Sequence, residues 1–156
     1  MTVQPQSPSA STPVPVAGHG HIQPMTVFYD DLDAMGLVHN CRYAVILERA
    51  LSEFWTGRGF SNKNGASNPD SFLVVAEFSI KYKFPVRGAG PVSVHFWVER
   101  LGDTSAVYAF RFVSADGATV HAEGRRVHIR MDPATLRPTS WTPPARAVLE
   151  ELLLPG

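Results

Sequence analysis

The sequence predicts an α+β domain, with one long amphipathic helix packed on a mostly antiparallel sheet. Three observations carry that prediction. Apolar residues at Tyr43, Ile46, Leu47, Ala50, Leu51, Phe54 and Trp55 trace the i, i+3, i+4, i+7 stripe of a helix with one buried face. Beyond residue 71 the rhythm becomes that of strands: Val92, Val94, Phe96 and Val98 alternate with Ser93, His95, Trp97 and Glu99, the mark of a sheet with two unlike faces. Finally, 156 residues with an apolar fraction of 44% suffice for one real core and leave no room for a second domain.

Along the chain, residues 1–18 are rich in Pro, Ser, Thr and Gln and read as a disordered tail. They carry neither the basic start nor the apolar run of a signal peptide, which places the single domain at 19–156. "HIQPMTVFYD" is strand-like, with Pro24 suited to an edge or to the beginning of the strand. An acidic loop follows, then the helix from Tyr43, which Gly57 and Gly59 should end. "SNKNGASNPD" reads as a polar loop. The strands "SFLVVAEFSIKYKFP", "PVSVHFWVERLG" and "SAVYAFRFVSADGATVHAEGRRVHIRM" come next, the last folded into a hairpin at Asp116-Gly117. "TPPARAVLEELLLPG" forms a short helix with Thr142 as N-cap and Pro143 at its first position. A sheet covered on one face by one helix leaves edges to protect, and self-association does so.

Charge narrows the partners. Fourteen basic residues balance fourteen acidic ones without the block or stripe of a nucleic-acid or membrane-surface binder. No stretch approaches the ~20 apolar residues of a membrane-spanning helix. Cys41 is the only cysteine, which rules out an intramolecular disulfide and suits a reducing cytoplasm. G-x-S-x-G, P-loop, G-x-G-x-x-G and H-E-x-x-H signatures are all missing, which argues against a serine hydrolase, an NTPase, a Rossmann enzyme or a zincin.

Among single residues, His19 and His21 read as solvated rather than metal-binding, so no metal site is expected. His95, His121 and His128 lie in strands and read as packed or interface residues. Cys41, close to the apolar stripe, reads as filler rather than nucleophile. The acidic loop "DDLDAMGLVHN" asks for more. Carboxylates ahead of a helix favour its positive end, and Asn40 is a candidate N-cap. Capping leaves Asp33 and Gly36 unexplained. A glycine there permits an unusual backbone conformation, while a carboxylate beside unpaired helix N-H groups can attack a polarised carbonyl or activate water. Those parts suit acyl transfer.

The run "FYDDLDAMGLVHNCRYAVILERALSEF" resembles the opening of the hotdog-fold acyl-CoA thioesterases of the 4-hydroxybenzoyl-CoA thioesterase and YbgC-like group, at Tyr29, Asp31, Asp33, Gly36, Val38, Tyr43 and "LERA". "VVAEFSIKYKFPVRGAGPVSV", "ERLGDTSAVYAFRF" and "HIRMDPATLRPTSWTP" extend the resemblance over about residues 21–143. It implies a hotdog fold, a long helix wrapped by a curved antiparallel sheet, with two subunits pairing to form the site in a homodimer or homotetramer. It also implies thioester hydrolysis without a cofactor, CoA being part of the substrate.

Carried over by residue, the catalytic carboxylate falls on Asp33 and a site-lining aromatic on Tyr29. Asn40 stands where many YbgC-like members have His; it can hydrogen-bond water or substrate but cannot shuttle a proton. His39 is displaced by one residue, about 100° around a helix. Gly36, Val38, His39 and Tyr43 complete the expected substrate contacts. Lys81, Lys83 and Arg126, with Arg87 and Arg125, are candidates for the CoA phosphates. Two other functions share such a chain: a hotdog hydratase or dehydratase, for which the Asp33 to His39 spacing is one residue too long, and a non-catalytic binder of acyl-CoA or acyl carrier protein. Phe28, Phe54, Trp55, Phe60 and Phe72 could line an acyl pocket, although such aromatics more often build the core.

Overall fold

The computed structural model of the protein describes residues 18–60 and 69–156. Apart from Gly18, the tail expected over 1–18 lies outside the described residues, as does most of the polar loop. The elements run β1 (His21–Val27), α1 (Arg42–Gly57), β2 (Leu73–Tyr82), β3 (Gly90–Leu101), β4 (Ser105–Ser114), β5 (Val120–Arg130) and α2 (Pro143–Glu151). The strands form one five-stranded antiparallel sheet in the order β1-β3-β4-β5-β2.

The helical stripe and one set of alternating strand residues meet in the core. Ile46, Leu47, Ala50, Leu51 and Phe54 of α1 pack with Val92, Val94, Phe96 and Val98 of β3 and with Tyr108, Phe110 and Phe112 of β4. Register shifts at Val75/Glu77, Val98/Arg100 and Phe112/Val113 are the bulges that let an antiparallel sheet bend around a helix. This is the helix-wrapped sheet of the hotdog fold. Pro24 sits in edge strand β1, Gly117 adopts φ +74° in the β4–β5 hairpin, and Thr142 caps α2 by accepting from the Ala145 amide. No described helix is long and apolar enough to cross a membrane.

Several local expectations are corrected. The second sheet face is less polar than its alternation suggests: His95 and Trp97 are buried there, in ring contact with each other and with His19. His19 and His21 are therefore half-buried rather than free in solvent. The His19 carbonyl pairs with His95 Nε2 at 3.0 Å, and His21 packs on Phe54 and Phe96. Cys41 is exposed rather than filler. Within the expected polar loop, Asp70 is buried against Arg130 at 3.1 Å and hydrogen-bonded by Thr142. Phe54 is core, whereas Phe28 and Phe72 are exposed.

Candidate active site

Two carboxylates of the acidic loop, two residues apart, take different environments. Asp31 closes a single 3-10 turn, Tyr29–Asp31, and its side chain is 0% exposed. One oxygen accepts from the Phe28 amide at 2.8 Å and the other from Arg42 Nε at 2.8 Å. The same residue's carbonyl accepts from the His39 amide at 2.9 Å. Asp31 thereby ties the strand exit to the first turn of α1, and in return its bond holds the Arg42 guanidinium's pKa above its ordinary value.

Asp33 is only half-buried. Its Oδ1 accepts from the amides of Met35 at 2.8 Å and Leu37 at 3.1 Å, and its backbone pairs with Leu37 and Gly36. Gly36 turns the chain at φ +74°, a conformation that a Cβ disfavours. The result is a closed turn that holds one carboxylate oxygen and sets the orientation of the other. Asp33 thus borders an open pocket of about 340 Å³ with Val38, His39, Asn40, Tyr43 and Lys83.

The helix start departs from the expected cap. Cys41, not Asn40, occupies the N-cap position, with no side-chain cap bond. The Cys41 amide donates instead to His39 Nδ1 at 3.2 Å, and the Arg42 amide to the His39 carbonyl at 2.8 Å. His39 thus performs the capping, because it precedes the helix by the right interval to accept from two amides that follow it, one through its ring and one through its carbonyl. Asn40 is exposed, its amide makes no hydrogen bond within the described residues, and its carbonyl accepts from the Tyr82 hydroxyl at 3.2 Å. Tyr43 is buried edge-on against Tyr82 at 5.1 Å, and burial pushes its phenol pKa up, which keeps it protonated.

Of the residues singled out in the sequence, the fold gathers Asp33, Val38, His39, Asn40, Tyr43 and Lys83 around one pocket, with Gly36 shaping the turn behind it. Others lie elsewhere. Tyr29 is 87% exposed and outside the lining of this pocket. Lys81 faces a groove shared with Glu99 and Arg125. Arg126 is buried at 6% exposure and paired with Glu48 of α1. Lys83 is itself paired with Glu123 at 2.8 Å. Tyr82 and Phe84 of the pocket wall were not singled out; their signal is the alternation Phe78, Ile80, Tyr82, Phe84, which puts them on one side of the strand and its extension. Among the described residues no group of three or more His, Cys, Asp or Glu could hold a metal.

A sheet wrapped on one long helix is the hotdog architecture, and similarity to known proteins sets the chain among its thioesterases. The Thioesterase superfamily model matches residues 35–121, and the chain belongs to that family. It is 27% identical over 115 residues to the acyl-CoA thioester hydrolase YbgC of Escherichia coli O6:H1, spanning 74% of this chain and 84% of that protein. In structure it is similar to the PA5185 protein of Pseudomonas aeruginosa, with a TM-score of 0.75 and 25% identity over 86% of this chain and 92% of the other. It is also similar to the 1,4-dihydroxy-2-naphthoyl-CoA thioesterase of Synechocystis, with a TM-score of 0.74 and 16% identity over 85% and 98%.

Proposed function

We propose that the protein hydrolyses an acyl-CoA thioester to the free acid and CoA, with Asp33 as its catalytic carboxylate. The observation that carries this is the Asp33 turn: one oxygen is pinned by two amides, and the carboxylate borders a pocket at the start of α1. The names of relatives such as the YbgC hydrolase supply the substrate class.

The thioester carbonyl takes the Asn40 amide and the positive end of α1 as its polarising partners. Asp33 Oδ2 then has two balanced routes. As general base it takes a proton from water while the water oxygen bonds to the carbonyl carbon; the tetrahedral adduct collapses, the C–S bond breaks, and the CoA thiolate leaves and is protonated. As nucleophile it bonds to the carbonyl carbon directly, expels the thiolate, and leaves an acyl anhydride that water opens. Neither route needs a cofactor. The Asn40 side chain holds water or substrate, His39 stabilises the turn, and Lys83, which must exchange its Glu123 partner to do so, is the candidate basic residue for a CoA phosphate.

The active unit is a homodimer. β2 is the sheet edge opposite β1, and Val74, Val75, Phe78 and Tyr82 along it are exposed, the kind of edge that a second copy covers by antiparallel pairing. Pairing at β2 brings a partner strand beside the pocket wall at Tyr82, and two such dimers can form a homotetramer. A cytoplasmic location suits the CoA substrate.

The test is free-thiol release from short, medium, long and aromatic acyl-CoA esters by wild type, Asp33→Asn and Asp33→Ala, with folding followed by circular dichroism. Turnover by wild type that collapses in both folded variants supports the reading; turnover that survives both sinks it. A single turnover in ¹⁸O-labelled water tests for the anhydride: label in the Asp33 carboxylate requires an anhydride opened at the Asp33 carbonyl carbon, whereas opening at the acyl carbon, like the general-base route, puts the label in the free acid.

A further inference from the structure

The entry to α1 leaves one amide over. Of the amides at residues 40–42, those of Cys41 and Arg42 donate to His39, and that of Asn40 makes no hydrogen bond among the described residues. A lone donor serves chemistry only if its direction is fixed beforehand. That direction is set by the peptide planes on either side of Asn40.

Both planes are held. The plane that joins Asn40 to Cys41 is held at two ends: its carbonyl accepts from the Tyr82 hydroxyl at 3.2 Å, and its N–H donates to His39 Nδ1 at 3.2 Å. The plane before it contains the Asn40 amide itself and is held at its carbonyl by the Arg42 amide at 2.8 Å. A peptide unit is planar, so these three bonds restrict both dihedrals of Asn40. Its N–H can swing only when one of them lets go.

Tyr82 is the hold that comes from outside the helix entry. It lies forty-two residues further along the chain, at the last position of β2, paired with Ala122 of β5. The next two amides, of Lys83 and Phe84, donate to the His121 carbonyl at 2.8 and 3.1 Å and pin the strand's end. The Tyr82 ring meets Tyr43 edge-on at 5.1 Å, and Tyr43 meets Phe112 of the core in the same manner at 5.1 Å. Three rings thus carry the fixed geometry of the core out to a hydroxyl at the pocket wall. At 52% exposure Tyr82 has water as an alternative partner, so its bond to the carbonyl adds little to stability. Its effect is on direction.

We propose that Tyr82, with His39 at the other end of the same peptide, is a positioning residue: the two clamp the Asn40–Cys41 peptide and so aim the Asn40 amide at the thioester carbonyl oxygen. Neither side chain touches the reacting atoms. The use of the clamp rests on the thioesterase reading; its existence rests on the hydrogen bonds alone.

Cys41 is the only cysteine, so the full chain labelled with ¹³C-carbonyl asparagine and ¹⁵N-cysteine gives a single HNCO signal, from the clamped peptide. Tyr82→Phe keeps the ring and should shift the carbonyl coordinate of that signal, and His39→Ala should shift the amide coordinate. His39→Asn supplies an oxygen that can accept from the amide two residues on and should recover part of both the shift and the rate. Losing an oxyanion donor outright costs about 10²- to 10³-fold in kcat. A loosened donor costs less, so thiol release by Tyr82→Phe and by His39→Ala should each show kcat about tenfold lower with KM within about twofold. The urea midpoint of Tyr82→Phe should stay in place, and the double variant should lose less than the product of the two, because both act on one plane. Wild-type kcat in Tyr82→Phe, a raised KM at unchanged kcat, a marked drop in its urea midpoint, or an HNCO signal that does not move would each overturn the proposal. Should wild type turn over no ester, the thioesterase reading falls by itself, and the HNCO signal still decides the clamp.

Discussion

Two stretches along α1 handle polar groups in opposite ways. At the start of the helix nearly every polar atom is assigned: Asp31 to Phe28 and Arg42, Asp33 Oδ1 to two amides, His39 to the amides of Cys41 and Arg42. Farther along, between Glu48 and Trp55, Arg126 Nε and His128 Nε2 are buried without partners among the described residues. Saturated bonding makes a rigid frame, in which the few atoms left over, Asp33 Oδ2 and the Asn40 amide, are held in fixed directions. Unsaturated bonding stores a cost that a proton can change. Rigidity of the first kind suits chemistry; frustration of the second kind makes stability sensitive to protonation.

The comparison is sharpest between Asp33 and Asp31. Asp33→Asn keeps an oxygen for the Met35 and Leu37 amides but removes the proposed base, so kcat should fall by about 10²- to 10⁴-fold while the urea midpoint barely moves. Asp31→Ala does the reverse. It strands the Phe28 amide and the Arg42 guanidinium, and urea denaturation should show a loss of about 2–3 kcal/mol. An Asp31 variant with wild-type stability, or an Asp33 variant that unfolds, would erase the division between frame and reactive group.

How much of this was readable beforehand follows from range. The stripe from Tyr43 to Trp55, the Asp116-Gly117 hairpin and the Thr142 cap depend on neighbours a few residues away, and sequence periodicity contains them. The unusual backbone at Gly36 and the turn that Asp33 closes are legible because they depend on neighbours within four residues. The cap was misread, since Asn40 has the better side chain for that role but His39 has the geometry. Arg126 is a candidate for the CoA phosphates by sequence; it is buried because β5 delivers it to Glu48 of α1, seventy-eight residues away, and no local pattern encodes that meeting. The burial of Asp70 against Arg130 was hidden for the same reason.

Farther along α1 the comparison can be tested with protons. His128 has its pKa lowered to about 3, by burial first and by Arg126 second, whereas an unfolded chain protonates it near the ordinary value of ~6.5. Below that value the unfolded state binds the extra proton, so stability is full above it, declines as the pH falls toward 3, and levels off there. Between pH 7 and pH 5 the loss assignable to this residue is about 2 kcal/mol. Chemical denaturation at several pH values should show that slope in wild type and a shallower one in His128→Leu. Equal slopes would mean that the imidazole has water or a partner after all, and the contrast between the two stretches would weaken.

The smallest effect probes how tightly the frame fixes Asp33. Gly36 has φ +74°, and nothing lies within 4 Å of where its Cβ would sit. Gly36→Ala therefore meets no clash, and its cost is the left-handed backbone conformation alone, about 1 kcal/mol. If the turn yields to relieve that strain, the Leu37 amide moves off Asp33 Oδ1 and the carboxylate loses its aim, so turnover should drop severalfold or more with little change in KM. Gly36→Asn supplies the control, because Asn tolerates this conformation better than Ala and should recover part of the rate. Parallel losses of rate and stability, both relieved by Asn, place the demand on backbone geometry; an Ala variant with unchanged kcat would show that Asp33 is aimed by the Met35 amide alone.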